Sequence, residues 1–167
     1  MQVLFLRLER LTINGLPKLT TIWHSQNAQN SFSGLRDITV QQCNNLTNIL
    51  PDSITAIVFQ QLQKLTVEHC GVEEIVVKEE GPERLMHDHF FPMLECLEIK
   101  SLFRLERIYP GMPAAFCWLQ LKTLVLFDLQ KVDIYAAEFS GLQKTHGSGS
   151  LCTMNTKPSV LFLKVRK

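Results

Sequence analysis

From Leu8 onward one order of apolar and polar positions recurs along the chain: L-x-x-L-x-I-x-x-(C/L)-x-x-L-x-x-I, starting at Leu8, Leu35, Leu62, Leu94 and Leu121. The starts lie 27, 27, 32 and 27 residues apart. The first copy places Leu8, Leu11, Ile13, Leu16, Leu19 and Ile22 on the template, and the second Leu35, Ile38, Val40, Cys43, Leu46 and Ile49. In the third, Leu62, Leu65, Val67, Cys70, Glu73 and Val76 take those places, with Glu73 the one misfit. Leu94, Leu97, Ile99, Leu102, Leu105 and Ile108 form the fourth; Leu121, Leu124, Leu126, Leu129, Val132 and Tyr135 form the fifth. Apolar residues therefore fill 29 of 30 template positions, where a chain that is 46% apolar would fill about 14 by chance. An aromatic stands three residues before every start: Phe5, Phe32, Phe59, Phe91 and Trp118.

The fourth and sixth positions are apolar and their neighbours polar, which is the period of a strand with one buried face. Beyond the strand the apolar step lengthens to three, so the chain turns in and out of the core through tight segments. A unit of this size cannot bury its apolar face alone; stacking on a copy of itself does so and pairs short parallel strands. The expected class is therefore α/β: a leucine-rich repeat solenoid of about five repeats. Its short parallel strands would line the concave face, with mostly loops and short helical turns on the convex face. Cys43 and Cys70, one period apart, sit where such repeats place a small side chain that satisfies turn backbone. That reading outweighs a metal or redox role.

A chain of 167 residues holds one domain with a sizeable core. The array is expected over 1–137, a linker rich in Gly, Ser and Thr over 138–157, and a partial sixth repeat or tail over 158–167. With 17 basic and 16 acidic residues, no global field recruits nucleic acid or an anionic membrane. No apolar run approaches the length of a membrane span, and five scattered cysteines do not form a disulfide framework. A cytoplasmic protein with reduced thiols is the expectation.

"LPKLTTIWHSQ" at 16–26, the L-x-x-L-x-V-x-x-C strands, "CGVEEIVVKEEG" at 70–81 and "FFPMLECLEI" at 90–99 carry a family resemblance. They resemble the leucine-rich repeat region of plant disease-resistance proteins that have an N-terminal coiled coil and a central nucleotide-binding switch domain. The likeness runs from about residue 5 to 145. It implies a recognition module of an immune receptor, whose partner is a pathogen effector, a guarded host protein or the receptor's own switch domain. Nothing here matches the phosphate loop G-x-x-x-x-G-K-[ST] and there is no heptad segment, so no ATP binding or hydrolysis is expected and no cofactor is assigned.

Strand alternation sends the third, fifth, seventh and eighth positions of each copy to the concave face. Lys64, Glu68, His69, Glu98 and Lys100 then stand side by side on adjacent strands, a mixed cluster able to give a protein partner register and discrimination. An ordinary solvated face whose charges pair with one another is the competing expectation. Val125 and Phe127 add neighbouring apolar groups suited to the core of an interface. These seven residues are the candidate partner-binding set.

The five extra residues of the third copy fall within "EEIVVKEEGPERLMHDHFF", and the acidic stretch from Glu73 to Asp88 is expected to be a loop rather than an extended strand. Such insertions often bind partners. His87, Asp88 and His89 lack an identifiable third and fourth metal ligand, and no metal is assigned. Catalytic signatures are missing: no G-x-S-x-G elbow, H-E-x-x-H pair, C-x-x-C or dinucleotide fingerprint occurs. Cys70 and His69, as strand neighbours, would point to opposite faces, which separates any nucleophile from its base. The chain is therefore read as no enzyme, and its uncapped ends as those of a piece of a longer receptor or a truncated product. The alternatives are a substrate-recruiting subunit of a ubiquitin ligase and, in a different class, a thiol- or metal-dependent enzyme.

Overall fold

A computed structural model describes residues 5, 7–23, 32–51, 59–77, 91–108 and 120–130, together with the backbone of 160–165. Its strands in chain order are β1 (Arg10–Asn14), β2 (Asp37–Gln41), β3 (Asn48–Pro51), β4 (Lys64–Glu68), β5 (Glu74–Val77), β6 (Cys96–Lys100), β7 (Thr123–Leu129) and β8 (Val160–Val165). Six of them make one parallel sheet in the order β1-β2-β4-β6-β7-β8, while β3 and β5 pair in a second, parallel sheet. The large sheet keeps the register of the sequence pattern: Leu11, Ile38, Leu65, Leu97 and Leu124 are successive partners, as are Ile13, Val40, Val67, Ile99 and Leu126. On the far side of β7, Leu161 and Leu163 stand opposite Leu124 and Leu126.

Backbone bonds at both ends of the strands explain why every copy closes in the same way. The second-position carbonyls of Glu9, Arg36, Gln63 and Glu95 each accept two N–H groups from the next coil, at 2.8–3.0 Å. At the other end the eighth residue leaves the sheet in a left-handed conformation. Gly15, Gln42, His69, Ser101 and Asp128 have φ of 69°, 54°, 51°, 51° and 54°. The first four donate their N–H to the seventh-position carbonyl of the next coil, at 2.9–3.1 Å. The recurring aromatic closes the turn that enters each coil: the carbonyls of Phe5, Phe32, Phe59 and Phe91 accept from Leu8, Leu35, Leu62 and Leu94.

Behind the sheet the buried apolar side chains of the described residues form one core. The template residues of the second and fourth coils are all buried, as are Leu121, Leu124, Leu126 and Leu129 of the fifth. Val132 and Tyr135 lie outside the described residues. The first coil is less well covered: Leu8, Leu11, Ile13, Leu19 and Ile22 are half-buried and Leu16 is 49% exposed. Trp23 meets Phe32 and Phe59 edge-on, with centroids 5.0 and 5.3 Å apart, and its indole N–H donates to the Ile49 carbonyl at 2.6 Å. Cys43 and Cys70 satisfy turn backbone, their thiols donating to the carbonyls of Gln41 and Glu68 at 3.2 Å.

Three expectations need correction. The described residues contain strands and turns but no helix, so the helical turns expected of an α/β class are not found there. Where they were expected, the second and third coils carry β3 and β5 instead. Glu74–Val77 is therefore a strand and not part of a loop, because its backbone pairs with β3 and the side chains of Ile75 and Val76 are buried; residues 78–88 lie outside the described ones. Finally, the third coil is one residue short in the turn after its strand. Asn48 pairs with Glu74, and Glu74 in turn with Arg107, so Val72 and Ile75 take the core places read as Glu73 and Val76. Glu73 moves to the exposed place of Thr47 and Glu106. The shortened turn draws Gly71 against the second coil, where a Cβ would lie 1.9 Å from the Asn44 carbonyl oxygen. The insertion is thus six residues, measured from Ile75 to Phe91 against Ile49 to Phe59.

Candidate functional site

The face of the large sheet turned away from the core presents three rows, one residue from each strand. The third-position row runs Arg10, Asp37, Lys64, Cys96, Thr123; the fifth, Thr12, Thr39, Thr66, Glu98, Val125; the seventh, Asn14, Gln41, Glu68, Lys100, Phe127. Parallel pairing in exact register holds these side chains one strand spacing apart, so the chemistry of the face is set row by row. In the fifth and seventh rows it changes across the sheet, from uncharged hydroxyls and amides on β1 and β2, through charge on β4 and β6 beside Thr66, to the apolar Val125 and Phe127 on β7; the third row adds Arg10 and Asp37 on the first two strands.

Of the expected cluster, Lys64, Glu98 and Lys100 are brought into direct contact. Lys64 Nζ donates to Glu98 Oε1 at 3.0 Å and Lys100 Nζ to Glu98 Oε2 at 2.5 Å. Burial raises the Glu98 carboxyl, but the hydrogen bonds from Lys100 and Lys64 outweigh it and hold the group down to about 2. The same hydrogen bond to Glu98 raises Lys64. Glu68 and His69 form a separate group. Glu68 accepts from Gln41 Nε2 at 3.0 Å, and His69 Nδ1 lies 3.4 Å from its other oxygen. Arg10 and Asp37 make a third pair at 3.4 Å. The charges of this face largely answer one another, as the competing expectation has it. Val125 is half-buried and Phe127 exposed, directly across β7 from Glu98 and Lys100.

His69 lies beyond the end of β4 rather than on it, and its left-handed backbone carries the imidazole to solvent while Cys70 is buried. The expected separation of the two therefore holds, for a different geometric reason. Burial pushes the Cys70 thiol up to about 11 and also raises Cys96, so neither side chain is a ready thiolate.

Sequence reasoning passed over four participants. Gln41 holds Glu68, and Cys96 approaches Glu98 Oε1 at 3.5 Å. Ser101 donates to Asp128 at 3.1 Å across successive eighth positions. Thr66, at the centre of the face, has a buried hydroxyl with no hydrogen-bond partner among the described residues. The rows contain Gln41, Cys96 and Thr66, and the eighth positions Ser101, but composition along a row does not distinguish a paired side chain from an orphan.

This arrangement of stacked coils of 27 or 32 residues with a polar sheet face agrees with the comparisons made with known proteins. The family model for the leucine-rich repeats of RPS2-like plant disease resistance proteins matches residues 1–71 and 31–138. The chain belongs to this leucine-rich repeat family. No curated protein and no solved structure matches it. In this leucine-rich repeat chain the described residues include no group of three or more His, Cys, Asp or Glu able to hold a metal ion, and no helix long and apolar enough to cross a membrane. His87 and His89 lie outside the described residues. Repeats of this family act as protein-interaction modules.

Proposed function

We propose that the chain is the protein-recognition module of a cytoplasmic plant immune receptor, sensing a pathogen effector or a guarded host protein and restraining the receptor's switch domain. The observation that carries this reading is the family match over residues 1–138. The graded sheet face supports it. Lys64, Glu68, His69, Glu98 and Lys100 would fix the partner's register, and Val125 and Phe127 would supply the apolar contact beside them. We further assign residues 1–137 to the array and 138–157 to a linker, with 158–167 contributing a partial sixth coil through β8. No catalytic step is assigned.

The test is affinity capture from leaf tissue followed by mass spectrometry, comparing the chain with a variant carrying Lys64→Ala, Glu68→Ala, Glu98→Ala and Lys100→Ala. Loss of the captured proteins from the variant is the expected result. An unchanged set would move recognition to the 73–91 segment or to the opposite side of the coils.

A further inference from the structure

We propose that Lys64, Thr66 and Lys100 together form a receptor for an acidic side chain of the partner protein, with one carboxylate seated over the centre of the sheet face. The proposal rests on the recognition reading above and names the chemistry by which that face would select its partner.

Thr66 stands in the fifth row between Thr39 and Glu98. It is only 7% exposed, and its hydroxyl is without a hydrogen-bond partner among the described residues. An unmade hydrogen bond at a buried hydroxyl destabilises the free protein, whereas valine has nearly the same shape and carries no such penalty. A bare threonine here is therefore best explained by a group that arrives from outside. Strand alternation puts it on the same face as Lys64, two residues before it.

The two nearby ammoniums converge on a single anion, since Lys64 and Lys100 donate to opposite oxygens of the Glu98 carboxylate. Each ammonium has three donors, and this contact occupies one. Glu68 is engaged elsewhere, by Gln41 and His69. Two positive charges thus share one negative charge beside a hydroxyl with a proton to donate. A second carboxylate meets this donor set completely, through two charge-assisted bonds and one neutral bond. A basic group would face both ammoniums, and an apolar one would leave the donors unmet. The Lys64 side chain is 45% exposed against 30% for Lys100, so Lys64 is the arm that swings to admit the ligand.

The experiment uses acetyl-Gly-Gly-Asp-Gly-Gly-amide, whose only carboxylate is a side chain, and the same peptide with Asn as control. Binding is followed by NMR at the Thr66 methyl and the lysine ε-methylenes at neutral pH. The Asp peptide is expected to give saturable shifts at Thr66, Lys64 and Lys100, and the Asn peptide none. Thr66→Val and Lys64→Met should each weaken binding about fivefold or more, while Thr66→Ser keeps it within about twofold. Thr66→Val should melt at or above the temperature of the unaltered chain, which separates lost binding from lost folding. No saturable shift with the Asp peptide, equal shifts with the Asn peptide, or undiminished affinity in Thr66→Val would overturn the proposal. If the peptide fails while the four-alanine variant still loses its captured proteins, the carboxylate chemistry is wrong and the recognition reading stands. If that variant keeps all its partners, recognition does not use this face, and this proposal falls with that assignment.

Discussion

At the scale of single residues, the face is governed by which charges meet. Glu98 is held ionised by two lysines, so its folded value of about 2 lies below the ordinary 4.5. A depressed carboxyl contributes stability that is fully present above the unfolded value and is lost as pH falls through the folded one. Lys64 and Lys100 remain in contact with solvent, which limits the contribution to about 1 kcal/mol. Urea unfolding should therefore show the unaltered chain losing about 1 kcal/mol more than Glu98→Gln between pH 5 and pH 2. Parallel curves would mean that the two lysines do not hold the carboxylate. Sequence spacing made it legible that Lys64, Glu98 and Lys100 are neighbours. It did not reveal that Glu98 takes both lysines, or that Thr66 is left over, because both outcomes depend on side-chain rotation within a fixed register.

The element scale is where the sequence was easiest to read and also where it misled. Alternation at the fourth and sixth positions marked the five strands of the array, because burying one face of a strand demands it. The left-handed turn after each strand left a fainter trace, since only Gly15 has the residue type that announces it. Gln42 bears the steric cost of a Cβ in that conformation. Gln42→Gly should accordingly gain up to about 1 kcal/mol in urea unfolding, whereas Gln41→Gly, one residue earlier within β2, should lose about as much. A loss at both positions would contradict the turn geometry. The slip in the third coil escaped a template of constant spacing, and β5 looked like loop because four residues are too few to show a period. Gly71 is the residue that permits the slip. Gly71→Ala should cost about 2–3 kcal/mol, since the new methyl meets the Asn44 carbonyl, a backbone atom that moves only with its coil. A thermal midpoint within a degree of the unaltered chain would show that the turn is looser than described.

For the whole molecule, stability is distributed along the stack. An inner coil packs on two neighbours, whereas among the described residues β1 pairs with β2 alone. Leu65 is buried while its counterpart Leu11 is half-buried. Leu65→Ala should therefore cost about 3–4 kcal/mol and Leu11→Ala less than about half of that, read from the same urea transitions. Equal losses would mean that the first coil is covered as fully as the third. The polar sheet face exists only because these coils return to the same register, bringing residues far apart in the chain into one row. Nuclear Overhauser contacts between backbone protons test that register most directly. Sequential-strand contacts linking Thr39 to Thr66, 27 residues on, and Thr66 to Glu98, 32 residues on, are expected, in the pattern of parallel strands. Close Hα–Hα contacts of antiparallel pairing, helical contacts three and four residues apart within 64–68, or no contact at those two separations would contradict the stacked array and the face built on it.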